Sequence, residues 1–161
     1  MVERGAAAGS LVGGDAVTGM VAGLPRYSIE VAGESGHHRA MTDHEPAIVL
    51  VDDLRSFVDG RLAEVARTSS AGVGLLGRHR SRRVDELWLD HDLGGDDTIW
   101  PVVEVLERAA FEGRPFDVGV VVIHSANPAG ATKMAQALRR WHYPVRIAPG
   151  DPAVGYVDGI D

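Results

Sequence analysis

The sequence has no cysteine, so it forms no disulfide frame, offers no thiolate nucleophile and builds no cysteine-ligated zinc site. Lysine is almost missing too: Lys133 is the only one, and arginine carries nearly all the positive charge. No apolar run approaches the ~20 residues that a membrane-crossing helix needs. Nor does the N-terminus place a compact apolar segment behind basic residues, so no signal peptide is expected and a cytoplasmic protein is. Basic charge is in deficit, with a formal net charge of −7, which disfavours non-specific binding to DNA. A length of 161 residues suits one domain with a sizeable core.

What the chain does carry is a set of short apolar runs that stop abruptly in acids and histidines. Residues 47–51 run into Asp52 and Asp53. Residues 87–89 run into Asp90, His91 and Asp92, and residues 118–123 into His124, Ser125, Ala126 and Asn127. Runs this brief are too short for helices and read as buried strands. In an open parallel sheet, ligands bind outside the carboxyl ends of the strands. The three endings therefore predict one site. Gly94 and Gly95 follow the second ending and permit a sharp turn or a close backbone approach.

In chain order, residues 1–45 are dense in Gly and Ala without sustained period. They read as mostly disordered, or as the upstream part of an over-long reading frame that starts at Met41; the sequence leaves both open. One α/β domain is expected over 46–150, with an uninformative tail over 151–161. Strand one covers 47–52. Residues 54–60 are short for a first helix and end in the Asp59-Gly60 turn signal. Residues 61–67 are read as the second strand, the alternative being the end of a first helix. Ser69 or Ser70 is expected to cap a helix to about Arg80, with Leu75, Leu76 and His79 on one side, although three glycines weaken it. Strand three is 85–90. Asp97 or Thr98 then caps a helix to about Glu112, with Pro101 in its first turn and Val102, Leu106 and Ala109 in its buried stripe. Strand four is 118–123, Asn127 and Pro128 open a helix to about Trp141, and 143–147 is strand five. The alternation predicts a three-layer α/β fold with helices on both faces of a parallel sheet. Its flavodoxin-like order is 2-1-3-4-5, with a reduced first helix and no clear last helix.

On those residues the chain resembles the receiver domain of bacterial response regulators. Asp52 and Asp53 follow strand one, Asp90 follows strand three, and Ser125-Ala126 follow strand four. The resemblance implies Mg²⁺ on the three acids, a phosphoryl group on Asp90 and a contact to it from Ser125. Two departures stand out. Ala148 precedes Pro149 where receivers keep a lysine, and Lys133, placed on a helix, does not replace it. Receivers also lack histidines like His91 and His124. A closer resemblance is to the cyclic-phosphate processing receiver domain. Leu89-Asp90-His91-Asp92-Leu93-Gly94 and Ile123-His124-Ser125-Ala126-Asn127-Pro128 are similar to its two signatures, and Val51-Asp52-Asp53-Leu54-Arg55 to its start. The likeness covers roughly 47–147. It implies a phosphate-bearing partner, the cyclic or terminal phosphate of a nucleotide or RNA end.

Carboxylates packed at one edge repel, so either a cation binds or some acids stay protonated. Hard oxygen ligands without thiolate suit Mg²⁺ or Mn²⁺, and His91 or His124 as a ligand would tilt the choice toward Mn²⁺ or another transition metal. Asp52, Asp53 and Asp90 are the expected metal ligands, while Asp96 and Asp97 read as helix caps. His124 is the candidate general acid or base, because it ends the strand beside Asp90 and precedes a helix start. His91, flanked by Asp90 and Asp92, is the candidate metal or orienting residue, with Asp92 beside it at the catalytic centre. Ser125 and Asn127 could donate to phosphate oxygens where a helix start favours anions, though Asn127 is also a good plain N-cap. Arg55 could pair with the acids or with phosphate. The arginines between 78 and 83 precede strand three and so lie at the opposite edge, and Trp88 and Trp100 read as core. His91-Asp92 also spells the dipeptide of helical HD phosphohydrolases, whose further His and Asp on helices this sequence lacks. Three functions stay open: a metal-dependent phosphoesterase, a regulatory receiver phosphorylated on Asp90, and a non-catalytic phosphate sensor. The missing lysine counts against the second, and no sequence feature separates the first from the third. No feature indicates a protein partner.

Overall fold

Short runs rich in Val, Ile and Leu pair side by side in the computed structural model, which describes residues 45–156. In chain order the elements are β1 (Ile48–Val51), β2 (Arg55–Phe57), β3 (Glu64–Ala66), α1 (Ser69–Arg78), β4 (Val84–Leu89), α2 (Trp100–Phe111), β5 (Val118–Ile123), α3 (Pro128–Arg140), β6 (Val145–Ile147) and β7 (Val154–Tyr156). Five of the strands form one parallel sheet in the order β3-β1-β4-β5-β6. Counting sheet strands alone, this is the expected flavodoxin-like 2-1-3-4-5 order.

The two faces of the sheet are covered differently. Val49, Val51, Leu87, Leu89, Val121 and Ile123 face the helices, meeting Leu76 of α1, Val102 and Leu106 of α2, and Met134 and Leu138 of α3 in one core. The alternate residues Leu50, Trp88 and Val122 form a second core with Ile48 on the opposite face. There the sequence left a reduced first helix and no clear last one, and the structure puts strands in both places. β2 and β7 pair antiparallel, Arg55 opposite Tyr156 and Phe57 opposite Val154. Phe57, Ala153 and Val154 from this ribbon pack on the second core. The expectation of helices on both faces is corrected accordingly: among the described residues the third layer is a two-stranded ribbon. β7 lies beyond Gly150, where a tail was expected.

The first two helix starts differ from expectation by a residue or more, while α3 starts where expected, at Asn127-Pro128. Thr68, not Ser69 or Ser70, caps α1, its Oγ1 accepting the Ala71 N–H at 3.2 Å. Ile99 holds the cap position of α2 with no side-chain cap bond. Asp97 turns instead to α1, its carboxylate accepting the Ser69 N–H at 2.9 Å. The glycines of α1 have one clear reason at Gly72, where a Cβ would meet Val102 Cγ2 at 2.9 Å and Val51 at 3.2 Å. A side chain there would push α1 off both the sheet and α2. Gly113, at φ +72°, ends α2 as expected, and Asn127 caps α3.

All described residues fall within the unit Met41–Asp161. The readings of 1–44 as disordered or as an over-long frame lie outside the described residues, as does the chain past 156. No helix among the described residues is long and apolar enough to cross a membrane.

Candidate functional site

Val51 stands opposite Leu89, and Leu89 opposite Ile123. The next residues, Asp52, Asp90 and His124, therefore leave the sheet level with one another at its carboxyl edge. Asp52 is fully buried. Its Oδ1 accepts the backbone N–H groups of Leu54 (2.9 Å) and Arg55, and its Oδ2 accepts Nε–H of Arg55 at 2.8 Å. The same guanidinium donates to Asp90 Oδ2 at 2.5 Å and reaches the His124 carbonyl at 3.5 Å. One cation thus ties together two acids from adjacent strands. This is the ion pair anticipated for Arg55. Asp90 Oδ1 accepts the N–H of His91 at 2.7 Å.

Asp53 is half-buried beside this pair. Burial pushes its pKa up, and the charges of Asp52 and Asp90 push the same way. A ligand oxygen from each of Asp52, Asp53 and Asp90 lies within 4.8 Å of the others. The loop after β4 passes so close that a Cβ on Gly94, at φ +82°, would sit 2.9 Å from Asp53 Oδ2. Glycine is required there on both counts. Arg67 was not anticipated. Its Nη1 donates to the carbonyl oxygens of Asp52 (2.9 Å) and Arg55, and its Nη2 to Ser56 Oγ at 2.6 Å, which fixes the acid loop from below. Nothing in a weakly alternating run of seven residues marks that arginine.

Asp53 and Asp90 open onto a cleft of about 290 Å³. Asp53, Arg55, Asp90, Asp92, Ser125 and Ala126 line it, together with Tyr156 of β7. Ser125 Oγ accepts the Asn127 N–H at 3.1 Å, so its own proton is available to a ligand. Tyr156, in the expected tail, was missed because a strand of three residues shows no period. A hollow of about 310 Å³ at the amino end of the sheet, near Glu45, Pro46 and Leu62, has no comparable convergence of charged groups.

The two histidines part company. His91 Nδ1 lies 2.7 Å from Asp92 Oδ1, and Asn127 Nδ2 donates to Asp92 Oδ2 at 3.3 Å. The hydrogen bond from His91 holds the Asp92 carboxyl below the usual range. The His91 ring sits over Gly130, where a Cβ would come within 2.3 Å, and edge-on to Trp100. His91, Asp92, Asn127 and the start of α3 are therefore one linked rim. His124 is 1% exposed and does not line the cleft. Its ring lies beside Trp88 on the ribbon-covered face, with Nδ1 3.7 Å from Asp52 Oδ2 and no hydrogen bond to either ring nitrogen among the described residues. Burial drives its pKa down, so the ring is neutral at pH 7. The role of a general acid or base facing substrate does not fit this placement: strand alternation turns the residue after Ile123 away from the helices.

The family model of the cyclic-phosphate processing receiver domain matches residues 47–140, from just before β1 to the end of α3. The chain belongs to that family. No curated protein and no solved structure matches it. Within this receiver-like domain the acid cluster, the His91-Asp92 pair and the Ser125–Asn127 turn all fall in the matched span. β6, β7 and Tyr156 lie past it. At the position of a receiver's lysine, Ala148 packs on the Trp88 core, and Lys133 is exposed on α3. The cation that reaches Asp90 is Arg55.

The cluster could hold a metal ion. Three converging carboxylates are a hard-oxygen set suited to a divalent cation. They face one guanidinium, that of Arg55.

Proposed function

We propose that this domain holds Mg²⁺ or Mn²⁺ on Asp52, Asp53 and Asp90 and there processes the cyclic or terminal phosphate of a nucleotide or RNA end. The observation that carries the reading is the convergence of those three carboxylates beside a cleft that Asp53, Asp90 and Ser125 line. A bound metal would supply charge neutralisation and activation of water. The protein supplies the rest. The Ser125 hydroxyl donates to a phosphate oxygen, and the amino end of a 13-residue helix favours the anion. Arg55, displaced from the acids by a divalent cation, has phosphate oxygens within the cleft as its next partners. Asp92 lines the cleft and is held there by His91, a placement that suits it to orient the attacking water and accept its proton. His91 behind it is the positioning partner. In ring opening, the water oxygen bonds to phosphorus, one ester P–O bond breaks, and the departing alkoxide takes the proton that Asp92 accepted from the water. The catalytic pair in this reading is Asp92 with His91, and His124 is left as a packing residue behind Asp52.

Two measurements test it. Mg²⁺ or Mn²⁺ should raise the melting temperature of the wild type, because a ligand bound only by the native state stabilises it, and should fail to do so in Asp90→Asn. Equal stabilisation of both proteins would sink the metal site. Hydrolysis of a nucleoside 2′,3′-cyclic phosphate should fall about a hundred- to ten-thousand-fold in Asp92→Ala. Tight binding without turnover in the wild type would replace the enzyme with a sensor.

A further inference from the structure

Beside the acid cleft lies a second, more enclosed hollow of about 170 Å³ between the start of α3 and the end of β6. It shares Ser125 and Ala126 with the cleft, so the two hollows meet along one wall. Its other walls are Pro128, Ala131, Ile147 and Pro149, with Thr132 at the edge, and no charged side chain among them. Thr132 Oγ1 donates to the Pro128 carbonyl, so its donor is already spent on the helix. Ile147 stays 40% exposed although it ends a strand of the central sheet. The contrast with the cleft is chemical: ionic groups on one side of Ser125–Ala126, aliphatic groups on the other. Small-ligand sites occupy about 300–1,000 Å³ and are mostly apolar with a few placed polar groups. Neither hollow reaches that range alone, and the two together do.

We infer that this hollow is the subsite for the uncharged nucleoside part of a ligand whose phosphate lies in the acid cleft. The inference rests on the phosphate reading above and extends it to a substrate class. A second phosphate would meet no cation in the hollow. The ligand is therefore a mononucleotide or the terminal nucleotide of a strand, held by its phosphate on one side and by apolar contact on the other. Neither an aromatic ring nor a charged group lines the wall, so discrimination among bases is weak and discrimination against base-free phosphates is strong.

The test is calorimetric titration of the full chain with adenosine 3′-monophosphate and, separately, with inorganic phosphate, Mg²⁺ being present throughout. The wild type should favour the nucleotide by at least about tenfold, the usual order for a small apolar contact. Thr132→Phe places a ring in the hollow from an exposed helix position, and Ile147→Ser removes the aliphatic wall. Each should erase the preference while leaving the affinity for inorganic phosphate unchanged. Equal affinities in the wild type, or a preference that survives in both folded variants, would overturn the subsite and leave the phosphate site standing. Failure of the wild type to bind either ligand would overturn both.

Discussion

Arg55 decides the electrostatic state of the site. Among the described residues it is the side chain that bonds both strand-end acids, and Asp52 is fully buried. Removing one partner of a buried ion pair leaves an uncompensated charge, at a cost of roughly 3–5 kcal/mol. Arg55→Ala should therefore melt well below the wild type without metal. Saturating Mg²⁺ or Mn²⁺ should recover most of that loss, because on the proposed reading a divalent cation would replace the guanidinium among the same oxygens. The apparent metal affinity should rise in the variant, since its competitor is gone. Thermal melts across a metal titration read both effects, and a deficit that metal does not narrow would show that the acids are an ion-pair site alone. His124 shows what was hidden at this scale. Its position after strand four was plain, but Val121, Val122 and Ile123 are all apolar and all buried. A run buried on both faces has no period to say which way the next side chain points.

At the level of elements, the long strands and α2 and α3 were legible because each is bounded by a chemical stop: acids after β1 and β4, Gly113 after α2, Asn127-Pro128 before α3. The ribbon was not, because β2 and β7 gain their pairing from each other across about a hundred residues and from packing on Trp88, neither of which is local. Asp97 is a similar case. It was read as a cap for the helix that follows it, yet it serves α1, binding the Ser69 N–H from a loop 28 residues away in sequence. Hydrogen bonding from Ser69, through its side chain first and its backbone N–H second, holds the Asp97 carboxyl below its usual pKa. A carboxylate with a depressed folded pKa adds stability that is present above the unfolded value, about 3.9, and is lost as pH falls through the folded one. Asp97→Ala should thus melt below the wild type at neutral pH, and the two curves should converge as the solution is acidified below pH 4. A gap that persists unchanged at pH 2–3 would mean that packing, not the charged hydrogen bond, carries the effect.

For the molecule as a whole, the fold follows from a sheet whose two faces are closed by different means. Helices bury the larger core, and a ribbon drawn from both ends of the domain buries the smaller one. The site sits where these layers meet. Asp52 and Trp88 belong to the ribbon side, His91 and Asn127 to the start of α3, and Tyr156 closes the border from β7. Sequence pattern supplied the sheet order and the acids, since both depend on where apolar runs stop. It could not supply the ribbon's contribution to the cleft, which exists only after folding. Every core side chain named above lies between residues 48 and 154, and the family match begins at residue 47. Within the described residues both cores are drawn from that span, and residues 1–45 carry no sustained apolar period in the sequence. From this we predict that a chain beginning at Met41 folds as stably as the full one. In a domain of this size each 1 kcal/mol moves the melting temperature by roughly 3–6 °C, so the comparison is sensitive. Matched thermal melts of the two proteins should coincide, and the metal-induced rise should be the same in both. A drop of several degrees on shortening would show that residues 1–40 contribute packing to the native state, and the boundary of the folding unit would then move toward Met1.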